Sequence, residues 1–162
     1  MAATHQFSES NGAGEVETIP VANLNFGSND SAELNTTTYP ITRGDASFEK
    51  YLRAKFTGVF TEISNMKFWK SAGAYVTGEE IKAAANATYA QPSATPNADS
   101  VIPTTEGTAL SMQSAEGAET IEYGASGVSG YTKYLRLQLQ TTGSTPAGAV
   151  NTKTFTFQFD EV

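Results

Sequence analysis

The chain has 162 residues, 39% of them hydrophobic, and its 17 acidic and 10 basic side chains give a formal net charge of −7. This length is sufficient for one domain with a hydrophobic core. The acidic balance argues against a basic surface for nucleic acid or for an anionic membrane. The absence of cysteine excludes disulfides, thiolate zinc sites and cysteine nucleophiles.

Residues 1–20 are polar and rich in glycine, which predicts an extended arm outside the core. A merely disordered terminus is the alternative interpretation. Phe7, Val16 and Ile19 are spaced along this segment so that each could enter a separate pocket on a neighbouring chain. The first seven residues contain neither a basic segment nor an apolar stretch, so we expect no signal peptide.

Residues 21–27 alternate between apolar and polar side chains around Leu24 and Phe26, which predicts a short strand. The following residues, to position 47, contain many turn-forming side chains and predict a long surface loop of the kind that often carries function. Residues 43–45 spell Arg-Gly-Asp, a tripeptide known from integrin ligands, and we interpret it as a turn.

The same loop contains a group of oxygen-bearing side chains that calcium accepts as ligands. Their spacing does not match an EF-hand loop, and ordinary turn chemistry explains them more simply. We therefore predict no metal site here. The residues concerned are Asn29, Asp30, Ser31 and Glu33.

Three successive segments predict further strands. Residues 48–60 have a period of two from Leu52 to Phe60, although their first half is also compatible with a helix. Residues 61–76 predict a second strand, a turn and a short third strand. Residues 77–90 are compatible with two helical turns or with a strand of small residues, and we prefer the strand.

The clearest patterns come late in the chain, after a second long loop at residues 91–108. Two segments alternate strictly, which is typical of strands with one buried and one wet face. Two such strands in succession predict antiparallel pairing, and a second layer is needed to cover their apolar faces, so the sequence predicts a β-sandwich. The inward residues are expected to be Leu135, Leu137, Leu139, Phe155, Phe157 and Phe159.

Catalytic chemistry is poorly supported. The single histidine, His5, lies in the predicted arm, where nothing holds it as a general base. Two carboxylate pairs could in principle serve a glycosidase, but surface charge explains both, Glu79 with Glu80 and Glu116 with Glu119. We predict no enzymatic activity and no cofactor.

Three aromatic side chains, Trp69, Tyr75 and Tyr89, could stack against a sugar ring, because an exposed aromatic ring offers an apolar face with a polar edge. For Trp69 we favour a position in the core or in an interface over a role in sugar binding.

The segment "FEKYLRAKFTGVFTEISNMKFWKSAGAYVTGEEIKAA" and the closing "TKTFTFQFDEV" resemble small structural proteins of tailed bacteriophages, the capsid decoration or cement proteins. The resemblance covers roughly residues 20–162 and rests on overall texture: an acidic, cysteine-free chain rich in threonine, alanine and glycine. It implies a β-sandwich or jelly-roll-like domain that caps a shell at its symmetry points, commonly as a trimer. The resemblance implies no catalytic residues in this chain.

Together these observations predict an N-terminal arm (residues 1–20) followed by one antiparallel β-sandwich or jelly-roll-like domain (residues 21–162). We expect a virion structural protein, made in the host cytoplasm, that stabilises the outer surface of a phage capsid. Its partner would be the major capsid protein, its own assembly a homotrimer, and it would bind neither nucleic acid nor membrane. A carbohydrate- or receptor-binding module of a head fibre or tail is the alternative. The candidate interface residues are Phe7, Val16, Ile19 and Trp69.

Overall fold

The computed structural model describes residues 3–115, 120–122, 130–148 and 151–162. Within these ranges the chain forms ten β-strands and one short 3-10 helix, Glu106–Thr108. No helix in the described part of the chain is both long enough and apolar enough to cross a membrane. The strands are β1 Thr4–Asn11, β2 Val16–Thr18, β3 Lys50–Thr57, β4 Glu62–Ala72, β5 Glu79–Ala87, β6 Ser100–Val101, β7 Leu110–Ser111, β8 Ile121–Glu122, β9 Tyr134–Thr141 and β10 Thr154–Glu161.

The strands form two antiparallel sheets that pack together as a sandwich, so the predicted fold class is confirmed. Sheet A has the order β2-β1-β3-β9-β5-β6. Sheet B has the order β10-β4-β7, and β8 also pairs with β4. Leu135, Leu137 and Leu139 of β9 are no more than 4% exposed, and burying each stabilises the fold by roughly 1.5–3 kcal/mol before entropy is subtracted. The inward orientation of these leucines is confirmed.

The expectation that the two late amphipathic strands pair with each other is wrong. In sheet A, β9 lies between β3 and β5, whereas β10 pairs with β4 in sheet B. Phe155, Phe157 and Phe159 of β10 are partly buried and pack against the same core cluster as the β9 leucines. Alternation determines which face of a strand points inward, but it does not determine which strand becomes the lateral neighbour.

The predicted N-terminal arm is wrong for residues 4–18, which belong to the sandwich. Strand β1 pairs with β3 over its length, with His5 opposite Phe56 and Phe7 opposite Ala54. Ser8 and Glu9 are completely buried. The segment escaped recognition because its buried positions are polar; the fold supplies partners for part of them, such as Lys50 for Glu9 and the Tyr134 hydroxyl for Ser10.

The predicted strand at residues 21–27 is not formed. This segment is extended and is held at its two ends, where the Val21 amide donates to the Phe7 carbonyl and the Phe48 amide donates to the Gly27 carbonyl. Residues 61–76 contain one long strand, β4, and no second short strand. For residues 77–90 the preferred strand is confirmed as β5.

Candidate functional site

The outer face of sheet A is covered by the second long loop. At the centre of this face Gln138 is 0% exposed. Its Nε2 donates to the carbonyl oxygens of Ser47 (3.0 Å), Ser93 (3.3 Å) and Thr95 (3.0 Å). Its Oε1 accepts a hydrogen bond from the Asn97 amide at 2.9 Å. The prediction of a wet face opposite the β9 leucines is therefore wrong at this position.

Two further side chains of β9 fasten the end of the same loop. The Arg136 guanidinium donates to both carboxylate oxygens of Asp99, at 2.8 and 2.6 Å. The hydrogen bond with Asp99 raises the pKa of Arg136, so the guanidinium stays charged. The Gln140 side chain donates to the Asn97 carbonyl at 2.9 Å. Residues 93–99 are thus held on sheet A by side chains that the sequence pattern placed in solvent.

A cluster of tyrosines covers the neighbouring part of sheet A. Tyr51 is 1% exposed, and its ring centroid lies 5.1 Å from that of Tyr89 and 5.9 Å from that of Tyr134. The Tyr89 hydroxyl donates to the Gly12 carbonyl. Burial, together with nearby negative charge, raises the pKa of Tyr89 to about 12. Tyr89 is therefore a structural side chain that ties sheet A to the β1–β2 turn.

Among the described residues, no loop lies across the outer face of sheet B in this way. The outward side chains of β4 and β10 are all half-buried or exposed, and Trp69 lies in their centre directly opposite Thr156. The Trp69 ring makes no aromatic or cation–π contact with the described residues. Trp69 is therefore outside the core. This open surface, called face B below, consists of Ser64, Lys67, Trp69, Ser71, Thr154, Thr156, Gln158 and Asp160.

The four predicted interface residues do not form one surface. Phe7 points inward and its ring lies 5.3 Å from Phe157 and 6.4 Å from Phe68, so it fills the chain's own core and cannot enter a neighbour's pocket. Val16 is 68% exposed on β2, at the edge of sheet A. Ile19 is half-buried beside the same strand. Of the four residues, only Trp69 lies on face B.

His5 lies where the edges of the two sheets meet. Its ring centroid is 5.4 to 6.0 Å from those of four phenylalanines, Phe7, Phe56, Phe157 and Phe159. Partial burial among these rings lowers the pKa of His5. Within the described ranges its imidazole makes no hydrogen bond with a serine or a carboxylate, which a catalytic triad would require.

The two carboxylates of the first candidate pair, Glu79 and Glu80, are engaged in separate ion pairs. Glu79 and Glu80 point to opposite faces of β5, as neighbours in a strand must. Glu79 is buried and pairs with Lys153 at 2.9 Å, while Glu80 pairs with Lys82 at 2.9 Å. Glu116 and Glu119 lie outside the described residues. The described part of the chain contains no group of three or more His, Cys, Asp or Glu side chains that could hold a metal ion.

The oxygen-rich stretch of the first long loop braces the fold from within. Asp30 accepts hydrogen bonds from the Asn11 side chain (3.0 Å) and from the Gly12 amide (2.9 Å). Glu33 accepts one from the Ala22 amide at 2.6 Å. These bonds engage the two carboxylates with residues 11 to 19 positions away, so they hold the loop to distant segments and are not local turn bonds.

The Arg-Gly-Asp tripeptide forms part of a turn. The Asp45 amide donates to the Thr42 carbonyl at 3.0 Å. Gly44 adopts a φ of 94°, a conformation that favours glycine. The interpretation of residues 43–45 as a turn is therefore confirmed.

Sequence reasoning missed a buried ion pair at one end of the sandwich. Lys50 and Glu9 are both 0% exposed and their charged atoms lie 2.8 Å apart. The Lys50 ammonium also donates to the Ser31 carbonyl at 2.7 Å, and the Asn11 amide donates to Glu9 at 3.0 Å. The partners are 41 positions apart in the chain, so no local pattern could have predicted them.

Two depressions on the described surface are small. One of about 190 Å³ lies between the two long loops, lined in part by Ile41, Asp45 and Pro96. Another of about 240 Å³ lies beside Glu79 and Thr142. Both are below the roughly 300–1,000 Å³ that is usual for small-molecule sites. The broad face B is therefore the better candidate for a functional site.

Comparisons with protein-family models, with curated proteins and with solved structures found no match to this chain.

Proposed function

We propose that this chain is a non-enzymatic virion structural protein that binds the major capsid protein on the outer surface of a bacteriophage shell. The observation that carries this proposal is the open face B. The opposite outer face is covered by the chain's own loop, whereas no described residue covers face B, which favours face B as the surface that meets a partner.

The chemistry of face B suits a protein surface better than a small ligand. It is broad, with hydroxyl and amide side chains around one large aromatic ring. Tryptophan at the centre of a polar surface is the residue type that most often contributes strongly to protein–protein binding. The net charge of −7 favours solubility of free subunits and attraction to a positive shell surface.

The test compares two aromatic-to-alanine variants in co-sedimentation with capsids that lack this protein. Trp69→Ala should weaken binding at least about tenfold, because a central tryptophan contributes about 2 kcal/mol or more to such contacts. Tyr39→Ala, at a ring that is 38% exposed on the first long loop, is the matched control and should bind like the wild type. If the wild-type protein does not sediment with capsids, or is absent from purified virions, the proposal is wrong.

Deletion of residues 1–20 is not a usable test of docking. It removes β1 and the inward Phe7, so loss of binding would follow from loss of the fold. The homotrimer expected from the resemblance stays a prediction, and the molar mass of the purified protein in solution would check it.

Carbohydrate binding is the second candidate, because Trp69 lies on an open face next to hydroxyl groups. The Thr156 hydroxyl donates to that of Ser71 at 2.8 Å, immediately beside the ring. Tyr75 and Tyr89 do not contribute to this surface: Tyr75 packs against Lys70 and Lys153, and Tyr89 lies on sheet A. Trp69 is the chain's single tryptophan, so its fluorescence reports binding directly. A saturable change on adding host surface glycans, with no capsid binding, would favour this second function.

A further inference from the structure

Strand β10 lies at the edge of sheet B, and one of its sides has no strand partner among the described residues. It pairs with β4 alone, and from Thr154 to Glu161 its other edge makes no backbone hydrogen bond with any described residue. A free edge of this kind presents unpaired N–H and C=O groups, which form a template for pairing with another strand.

The edges of sheet A are protected against pairing with another chain, whereas the edge formed by β10 is not. They end in the very short strands β2 and β6, of three and two residues, whereas β10 has eight. Strand β10 contains no proline, glycine or lysine. The pairing of β10 with β4 contains two β-bulges. In both, the additional residue lies on β4: one bulge is at Ser71 and the other is near Asn65, which adopts a φ of 49°. The free edge itself is therefore regular.

The side chains of β10 are incompletely covered. Its inward face carries Phe155, Phe157 and Phe159, all of which remain half-buried although they pack against the core. A further strand beside β10 would cover the exposed part of these rings, and burial of apolar surface is favourable.

The pattern of β10 is self-complementary. In an antiparallel pair of two β10 strands centred on Phe157, Phe155 of each copy lies opposite Phe159 of the other, on the same face. Aromatic cross-strand pairs of this kind stabilise a sheet. The acidic ends of the two strands, Asp160 and Glu161, then lie far apart, so the charge pattern does not oppose the pairing.

We infer that β10 pairs with β10 of a second copy of this chain, in a two-fold dimer in which the two B sheets form one continuous sheet. An isologous interface of this type uses the same surface on both subunits. On the outer face of the joined sheet, Thr156 of each copy lies opposite Gln158 of the other. The inference goes beyond the proposed function, because the dimer forms whether or not a capsid is present, and it is an alternative to the homotrimer that the resemblance implies.

The expected register of the β10–β10 pair identifies the positions at which charges can be introduced to test the dimer. Thr156→Lys combined with Gln158→Lys places two lysines opposite each other at both symmetry-related positions, so the dimer dissociation constant should rise about tenfold or more. Thr156→Lys combined with Gln158→Glu places opposite charges there and should restore dimerisation. The matched control is Thr88→Lys combined with Thr104→Lys, at two exposed positions away from β10, which should dimerise like the wild type.

The measurement is molar mass by sedimentation over a wide concentration range, with circular dichroism to confirm that each variant is folded. A wild-type protein that stays monomeric at high-micromolar concentration overturns the inference. So does a wild-type oligomer whose mass is the same in the lysine–lysine variant. Failure of capsid binding with normal dimerisation would count against the proposed function alone.

Discussion

Gln138 and Gln158 occupy similar places in two strands of eight residues each, and both point away from the core. Gln138 is nevertheless 0% exposed and fully hydrogen-bonded, whereas Gln158 is half-buried on face B. The difference arises from residues 93–99, which lie across sheet A, whereas no described segment lies across sheet B. On sheet A an outward polar residue stabilises the fold, and on sheet B it remains available to a partner.

This contrast shows that the polar face of an alternating strand can be buried on the outer side of a sheet when a loop covers it. Where a loop covers the sheet, each amide and carbonyl group must be paired, because an unpaired buried polar group costs about 1–3 kcal/mol. Where no loop covers the sheet, the same residue types tolerate substitution. The two regions should therefore respond differently to equivalent mutations.

The largest difference in the free energy of unfolding is expected when a lysine of an ion pair is replaced. Lys50→Met leaves the buried Glu9 without its partner and should lower the free energy of unfolding by about 3–5 kcal/mol. Lys67→Met, on face B, removes an exposed pair with Glu106 and should change it by less than about 0.5 kcal/mol. Urea unfolding of both variants provides the measurement. Equal losses would contradict the assignment of Lys50 to a buried pair.

A smaller difference is expected for the two glutamines. Gln138→Ala removes the side-chain donor from the Ser47 and Thr95 carbonyls, while the Ser93 carbonyl keeps the Glu49 amide, and should lower the free energy of unfolding by about 2–3 kcal/mol. It should also speed hydrogen exchange at the Asn97 amide, which loses its acceptor. Gln158→Ala should stay within about 0.5 kcal/mol of the wild type. Unchanged exchange at Asn97 in Gln138→Ala would mean that the loop is held by other contacts.

The smallest effect is expected at His5, where the edges of the two sheets meet. Partial burial of the exposed His5 side chain among four phenylalanine rings lowers its pKa in the folded state, so the unfolded chain binds the proton more tightly. Stability should therefore fall as the pH decreases below the ordinary histidine value of about 6.5, and level off below the folded pKa. His5→Gln should lose less stability than the wild type between about pH 7.5 and about pH 5. Identical losses would show that His5 does not titrate differently on folding.

Much of the β-architecture could be predicted because strict alternation is a local property. The leucines of β9 and the phenylalanines of β10 were correctly assigned to inward faces, and β3 was correctly recognised. Strand β1 could not be recognised, because its inward Glu9 and Asn11 depend on partners that are distant in the chain. The candidate surface was anticipated only through Trp69, for which a position in the core or in an interface was the favoured interpretation.

The sequence by itself determined the strand class, the inward direction of the most periodic side chains and the acidic, cysteine-free surface, because these depend on residue type and on a spacing of two positions. Only the tertiary structure decided which strands are neighbours, which outer face is covered and which strand edge stays free. Those outcomes depend on contacts across large sequence separations, such as the 41 positions between Glu9 and Lys50 and the 91 between Ser47 and Gln138. The sequence pattern specifies each strand's two faces, and the packing of distant segments decides what each face touches.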